Sequence, residues 1–345
     1  MKTPFIVAEL SANHGGSLET ALATVRMAAK SGADAIKIQT YTPDSLTLNV
    51  KAPDFKLSGG LWDGRWLYEL YQEARTPYEW HEAIFNEARE IGLVCFSSPF
   101  DCEGVDLLES LGNPIYKIAS FEVMDLELIS YAASKRKPMV ISTGIATDRE
   151  IREALETCHS EGNHDITLLK CTSAYPARPE DANLAMIPAM RQKYGLPVGL
   201  SDHSPGSIVP IVATSLGATI IEKHFILDRG LGGPDSAFSM TPDEFAEMAA
   251  AVRNMAYDSS SGDIPEDLYD AILGSIDFDR AGKSDGRQWA RSLYVSAPIE
   301  AGEPFTRENI RCVRPGHSLH PRHIRRLLGT PAPHSYAPGD RIENI

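Results

Sequence analysis

Basic side chains lie near the ends of several short apolar segments in this 345-residue chain. Lys37 and Lys117 each occur within a short apolar run, His224 ends one, and His203 closely follows another. Burying such groups without partners costs several kcal/mol each. A set of them at the ends of apolar segments therefore indicates a functional site, although any one residue could instead close a salt bridge.

The two lysines point to binding of an anion. Their ammonium groups would supply positive charge, and short hydroxyl side chains near other segment ends would donate hydrogen bonds without crowding a phosphate-sized group. These hydroxyls belong to Ser98, Ser120, Ser142, Ser173 and Ser201. We call the two lysines and five serines the anion-binding cluster, and they predict an anionic substrate. The alternative is that the hydroxyls serve only as caps of strand ends.

His203 and His224 are candidates for a metal site. They follow segments that would be neighbours in a closed barrel, so that their imidazoles would converge on a divalent ion with open water positions. The alternative is that each is an ordinary hydrogen-bonded histidine. With two protein ligands the ion would be exchangeable, unlike a structural zinc.

Two carboxylates and one aromatic segment are further candidates. Glu122 closely follows Lys117 and is a candidate general acid or base, or else an acid favoured by the dipole at a helix N-terminus. Asp235, in the motif GGPD, could bind a substrate hydroxyl or be an ordinary turn residue. Residues 61–71 (LWDGRWLYELY) predict a lid or sugar-facing wall, or else aromatic packing on the outside of the fold.

Eight short apolar runs alternate with segments of helical periodicity. The runs cover residues 6–9, 35–39, 93–97, 115–119, 139–142, 166–170, 198–201 and 219–224. Buried parallel strands that alternate with helices predict an α/β fold, and eight units predict a closed (β/α)8 barrel of the TIM type, with its chemistry at the carboxyl ends of the strands. A doubly wound open sheet is the alternative, but no GxGxxG motif follows the first run.

The repeating pattern ends near residue 256, which predicts three parts. Residues 1–256 would form the barrel, and residues 257–289, rich in Asp, Ser and Gly, would form a linker that is partly helical around residues 265–273. Residues 290–345 would form a small basic domain of short strands and turns. A domain of this size has a marginal core of its own, so we expect it to pack against another part of the protein.

Composition excludes several classes of function. The 47 acidic and 33 basic residues give a net charge of −14, which argues against nucleic acid or an anionic membrane as the main partner. We find no signal peptide and no apolar stretch long enough for a membrane helix. Five cysteines without CxxC spacing favour reduced thiols and a cytoplasmic location. Cys95 and Cys171 are interpreted as small core residues.

Nine ordered motifs make the chain resemble the sialic acid (nonulosonic acid) synthase family. They are AELSANH (8–14), KIQT (37–40), FSSPF (96–100), YKIAS (116–120), ISTG (141–144), CTSAYP (171–176), GLSDH (199–203), EKHF (222–225) and GGPD (232–235). The tail, including VRPG at residues 313–316, resembles the antifreeze-protein-like SAF (β-clip) domain of that family. The resemblance covers almost the whole chain, and its first motif and LWDG are most similar to the pseudaminic acid synthase branch.

The resemblance implies that phosphoenolpyruvate condenses with an acylamino sugar, here 2,4-diacetamido-2,4,6-trideoxy-β-L-altropyranose, to give pseudaminic acid and phosphate. It implies that the anion-binding cluster holds phosphoenolpyruvate, and that His203 and His224 hold a divalent ion, with Mn²⁺ first and Mg²⁺ or Co²⁺ as alternatives. The implied sugar ligands are Glu9, Tyr175, Asp235 and, from the other subunit of a domain-swapped homodimer, Arg314. Glu122 would handle a proton or water.

Two alternatives to this function stay open. One is the synthesis of N-acetylneuraminate or legionaminic acid by the same chemistry. The other is a non-catalytic carbohydrate-binding protein whose barrel has lost its activity.

Overall fold

Eight parallel strands pair in chain order, and the eighth pairs with the first, so that they close a barrel. The computed structural model describes residues 3–255, 265–279 and 285–343. The barrel strands are β1 (Phe5–Glu9), β2 (Ala35–Thr40), β3 (Val94–Pro99), β4 (Tyr116–Ile118), β5 (Met139–Ser142), β6 (Ile166–Cys171), β7 (Val198–Asp202) and β8 (Ile220–His224). Each of the eight predicted runs is a strand, and the predicted (β/α)8 barrel is confirmed.

Helices cover the outside of the barrel. They are α1 (Leu18–Lys30), α2 (Pro43–Leu46), α3 (Leu67–Ala74), α4 (Tyr78–Glu90), α5 (Cys102–Ser110), α6 (Leu126–Ala133), α7 (Asp148–Ser160), α8 (Met186–Tyr194), α9 (Ile208–Ser215) and α10 (Pro242–Met255). Side-chain caps define several of their starts: the Ser17 hydroxyl accepts from the N–H of Thr20, and Thr147 and Glu150 form a capping box on α7. α2 and α3 lie in the long connection between β2 and α4.

Alternation along the strands divides the barrel residues into two sets. Ile36 and Ile38 of β2 belong to the main core between the strands and helices. Ala35 of the same strand packs with Val7 and Phe96 in a separate apolar cluster, which lies inside the barrel. Because side chains two residues apart share a face, Lys37 also points inward, one layer above this apolar floor. The interior is therefore apolar at its amino end and polar at its carboxyl end.

The tail forms an antiparallel hairpin of β9 (Ser292–Val295) and β10 (Ile310–Val313), followed by α12 (Ile324–Leu327). It has a small apolar core of its own and shares a second cluster with the β2–α4 connection, in which Phe55 packs on Tyr294 with ring centroids 4.9 Å apart. The helix predicted around residues 265–273 is confirmed as α11 (Glu266–Leu273). The predicted boundary at residues 256/257 lies outside the described residues.

Ion pairs connect the basic tail to the acidic barrel. Arg341 pairs with Asp54 on the β2–α4 connection, and Arg307 pairs with Glu127 on α6. The tail therefore docks on a surface of opposite charge. This agrees with the expectation that it packs against another part of the protein. Among the described residues, none of the helices combines the length and apolar character needed to span a bilayer.

Candidate active site

Two buried lysine–carboxylate pairs lie inside the carboxyl end of the barrel. The Nζ atom of Lys37 is 2.6 Å from Oε2 of Glu9, and that of Lys117 is 2.7 Å from both oxygens of Glu222. Ser201 donates to Oε1 of Glu222 at 3.0 Å, and Lys37 donates to Ser98 at 3.5 Å. The lysines of the anion-binding cluster are thus brought together as predicted, but carboxylates balance their charge.

Burial and pairing act in opposite directions on these groups. Burial raises the pKa of Glu222, but Lys117 and Lys37 outweigh it and bring the pKa to about 2. Burial lowers the pKa of Lys117 despite the nearby carboxylate, whereas Glu222 and Glu9 together raise the pKa of Lys37. Glu222 is therefore the carboxylate that lies close to both ammonium groups inside the barrel.

Glu222 had no assigned role in the sequence analysis. The sequence does carry a positional signal for Glu222. Side chains alternate in direction along β8, so Glu222 shares the inward face with His224. The intervening Lys223 points to the other side, where it is fully buried and pairs with Asp202. The motif EKH therefore contains two site residues and one structural lysine.

Two hydroxyls of the anion-binding cluster lie beside Gly144, the glycine that follows β5. Ser120 accepts a hydrogen bond from the N–H of Gly144 at 3.1 Å. A Cβ atom on Gly144 would lie 2.2 Å from the hydroxyl of Ser173 and 2.9 Å from that of Ser120, so a larger residue would displace both hydroxyls. The hydroxyl of Ser142 is buried without a hydrogen-bond partner among the described residues. An unpaired buried hydroxyl is costly, which indicates a ligand that completes it.

The two predicted metal ligands lie side by side, with ring centroids 5.3 Å apart. Nδ1 of His203 is 2.9 Å from the carbonyl oxygen of Thr172 and must donate, which leaves Nε2 with its lone pair. Nδ1 of His224 is buried without a hydrogen-bond partner among the described residues and lies 3.9 Å from Oδ2 of Asp235. Two imidazoles with available nitrogens fit an exchangeable divalent ion.

The surroundings act differently on the two histidines, because burial lowers the pKa of His203 but the hydrogen bond and charge of Cys171 outweigh it and raise that pKa. Within the described part of the chain, no group of three or more His, Cys, Asp or Glu residues is arranged to hold a metal ion. Burial lowers the pKa of His224, reinforced by His203, which favours the neutral ligand form. Oδ2 of Asp235 accepts from the hydroxyl of Ser11 at 2.5 Å, and burial raises its pKa.

Cys171 differs from its interpretation as an inert core residue. It is buried, but its sulfur lies 3.8 Å from the hydroxyl of Ser173, within the site. Burial raises the pKa of the thiol, but the neighbouring His203 outweighs it and brings the pKa to about 6. Cys95 is buried in the main core as expected.

Glu122 is completely buried and holds two arginines from the tail. Its Oε1 accepts from Nε and Nη2 of Arg314 at 2.9 and 2.6 Å, and from Nε of Arg291 at 3.2 Å. Its Oε2 is buried without a hydrogen-bond partner among the described residues. Arg314 reaches Glu122 within one chain, whereas the resemblance implied contact across two chains; the domain-swapped homodimer stays a prediction.

Arg291 is a functional candidate that the sequence analysis missed. Besides Glu122, it donates to the carbonyl oxygens of Ser45, Phe100 and Cys312 at 2.8–3.0 Å. Its guanidinium thereby joins the tail to the barrel behind Glu122. Because 169 residues separate Arg291 from Glu122, no local pattern could have paired them.

A cavity of about 740 Å³ opens beside the hydroxyls, and aromatic rings line part of its wall. Tyr175 lies over His203 with ring centroids 4.3 Å apart, and Trp62 lies 6.2 Å from Tyr175. Trp62 therefore supports the interpretation of the 61–71 segment as a wall. Trp66 of the same segment instead packs under Lys51, outside this cavity.

Comparison with known proteins agrees with this architecture. The NeuB family profile matches residues 24–263, and the SAF domain profile matches residues 290–342. A pseudaminic acid synthase of Campylobacter jejuni is 48% identical over 342 residues, covering 99% of this chain and 96% of that protein. A pseudaminic acid synthase of Helicobacter pylori is 46% identical, covering 96% of this chain and 94% of that protein.

Solved structures give the same result. A spore coat polysaccharide biosynthesis protein of Bacillus subtilis superposes with a TM-score of 0.81 at 33% identity, covering 98% of this chain and 93% of that chain. The family resemblance of the motifs and the barrel-plus-SAF architecture are therefore confirmed, and the chain belongs to the NeuB family.

Proposed function

We propose that the protein is a pseudaminic acid synthase, a transferase that forms a C–C bond between phosphoenolpyruvate and 2,4-diacetamido-2,4,6-trideoxy-β-L-altropyranose. The observation that carries the proposal is the convergence of two lysines, the hydroxyl cluster and two histidines at one end of the barrel. The relatives named as pseudaminic acid synthases, at 46–48% identity over nearly the whole chain, support the choice of acceptor.

The anion-binding cluster would hold phosphoenolpyruvate. Lys37 and Lys117 carry the charge that its phosphate and carboxylate need, and Ser98, Ser120, Ser142, Ser173 and Ser201 surround the position with hydroxyls. The buried, unpaired hydroxyl of Ser142 supports a hydrogen-bonding ligand there. Fixing the anion in this way would aim its methylene carbon at the acceptor.

The acceptor would bind above the anion, toward the tail. Asp235 and Glu9 offer carboxylate oxygens for sugar hydroxyls, and Tyr175 offers a ring face beside His203. Arg314 would bind an acylamino carbonyl oxygen. Of these residues, Tyr175 lines the cavity, so we place the sugar beside its ring.

A divalent ion on His203 and His224 would act as a Lewis acid toward the aldehyde oxygen of the acceptor. The methylene carbon of phosphoenolpyruvate would attack the aldehyde carbon, and water would add to the resulting cationic carbon. The free Oε2 of Glu122 would orient that water and accept its proton, and the alkoxide formed from the aldehyde would take up one proton to become a hydroxyl. Loss of phosphate by C–O cleavage would then give the keto acid, while the cluster retains the phosphate.

The quaternary structure and compartment belong to the same proposal. A homodimer with exchanged tails would make between chains the Arg314–Glu122 contact that this chain makes within itself. Five free cysteines support a reducing compartment, for which we propose the cytoplasm.

Phosphate release tests the proposed activity. The purified protein, phosphoenolpyruvate and the diacetamido sugar should together release phosphate with a divalent ion present, and the rate should fall to background in excess chelator. Omitting the sugar is the control for simple hydrolysis. Absence of phosphate release with each of Mn²⁺, Mg²⁺ and Co²⁺ would overturn the proposal and favour a non-catalytic carbohydrate-binding protein.

A further inference from the structure

The aromatic wall of the cavity contains a hydrogen-bond donor with no assigned role. Trp62 lines the cavity, and its ring lies 5.3 Å from that of Trp289 and 6.2 Å from that of Tyr175. Its Nε1–H is buried and has no hydrogen-bond partner among the described residues. A buried N–H without an acceptor is costly, which indicates that a ligand supplies one.

The position of Trp62 places this donor between the two ends of the proposed acceptor site. On one side, Tyr175 connects it to His203, with ring centroids 4.3 Å apart. On the other side, Trp289 connects it to Phe121, whose ring lies 4.9 Å from the guanidinium carbon of Arg314. A sugar that extends from His203 toward the tail would therefore pass Trp62.

The side chains of the aromatic wall indicate which chemical group of a ligand would bind there. An indole N–H can only donate, so its partner must carry an acceptor atom. The adjacent surfaces are the rings of Tyr175 and Trp289, which bind apolar groups. An acylamino group combines a carbonyl oxygen with a methyl group, whereas a sugar hydroxyl offers no apolar part.

We propose that Trp62 forms a second acylamino subsite, distinct from Arg314, in which the indole N–H donates to the carbonyl oxygen of the 4-acetamido group while Tyr175 and Trp289 pack against its methyl group. The proposal rests on the proposed function and extends it. Two separate subsites would select an acceptor with two acylamino groups over a sugar with one. Trp62 would thus be a specificity-determining residue of the site.

The test compares Trp62→Phe, which keeps a ring and removes the N–H, with the control Trp66→Phe in the same segment. Initial rates are measured with the diacetamido sugar and with a 2-acetamido-2,6-dideoxy analogue that lacks the second acylamino group. Loss of one neutral hydrogen bond should raise the KM for the diacetamido sugar about threefold to tenfold. The kcat, the KM for phosphoenolpyruvate and the kcat/KM of the analogue should stay within about twofold, and Trp66→Phe should behave as wild type.

The outcomes separate the subsite from the proposed function. If the wild type is active and Trp62→Phe leaves the ratio of kcat/KM between the two sugars unchanged, the subsite alone is overturned. An equal loss with both sugars would also overturn it, because that result reports a structural role. A wild type inactive with the diacetamido sugar but active with the analogue would overturn the proposed acceptor and the subsite with it.

Discussion

Replacing Glu222 by Gln removes one negative charge from between two buried ammonium groups. The amide keeps the volume of the side chain and its contact with Ser201, so the change is mainly electrostatic. Lys37 retains Glu9 at 2.6 Å, but Lys117 loses the carboxylate that contacts it with both oxygens at 2.7 Å. The cost should therefore arise mostly at Lys117, whose pKa burial already lowers.

The size of this cost has an upper bound. Breaking a buried ion pair by removing one partner costs about 3–5 kcal/mol. Lys117 can avoid part of this cost by losing its proton, which for an ordinary lysine at pH 8 requires about 3 kcal/mol. We therefore expect Glu222→Gln to lower the free energy of unfolding at pH 8 by about 2–3 kcal/mol, or the Tm by about 3–4 °C.

Phosphoenolpyruvate should restore much of this loss, because its own negative charge would replace the missing carboxylate. Thermal unfolding with and without phosphoenolpyruvate measures the effect, and the ligand-induced rise in Tm should be larger in the variant than in wild type. Glu69→Gln is the control, because its pair with Lys51 is more than half exposed and contributes about 0–1 kcal/mol. A variant that is as stable as wild type and gains no more from phosphoenolpyruvate would refute the balancing role of Glu222.

Three further predictions address the catalytic carboxylate, the tail and its exchange. Glu122→Gln should lower kcat by about 10²–10⁴-fold with little change in the KM for phosphoenolpyruvate, and a near-wild-type kcat in steady-state kinetics would remove its role as base. The Glu122→Gln and Arg314→Ala variants should be mixed in equal amounts, unfolded and refolded together. If tails are exchanged, activity should be restored, because one site in each mixed dimer would then be intact. Activity no higher than that of either variant alone would contradict exchange. Burial raises the pKa of Glu150, but His320 and Arg287 outweigh it and hold the pKa well below its usual range. These pairs therefore stabilise the fold above about pH 4.3, and their contribution is lost as the pH falls below that value. The Tm difference between wild type and Glu150→Gln should therefore shrink between pH 6 and pH 3, while the exposed control Glu156→Gln shows no such trend; a constant difference would contradict the assignment.

The fold could be predicted because its signals are local. β-branched runs of four to six residues, separated by helical periodicity, define the strands, and their number identifies the barrel. The inward lysines and histidines followed from the same pattern, since a charged residue within a buried strand must face the interior or a partner. Lys223 shows the limit of this reasoning, because an outward-facing lysine beside Asp202 looks the same in the sequence.

The rest of the site depends on contacts between distant segments. Glu222 balances lysines on β2 and β4, and this role requires the closed barrel rather than any motif. Arg291 and Trp289 enter the site only because the chain after the barrel docks on the barrel mouth, and that docking includes ion pairs such as Arg341–Asp54 across 287 residues. Trp62 was recognised as aromatic, but its unpaired N–H appears only in the packed structure.

Identification of the product tests the central claim most directly. Phosphoenolpyruvate should be incubated with the protein, a divalent ion and, in separate reactions, the diacetamido altrose derivative, N-acetylmannosamine or the acceptor for legionaminic acid, with each product analysed by mass spectrometry and NMR. We expect the diacetamido altrose derivative to be consumed with the highest kcat/KM and to give pseudaminic acid and phosphate in equal amounts. A higher kcat/KM with either of the other sugars, or phosphate without a nine-carbon acid, would contradict the account.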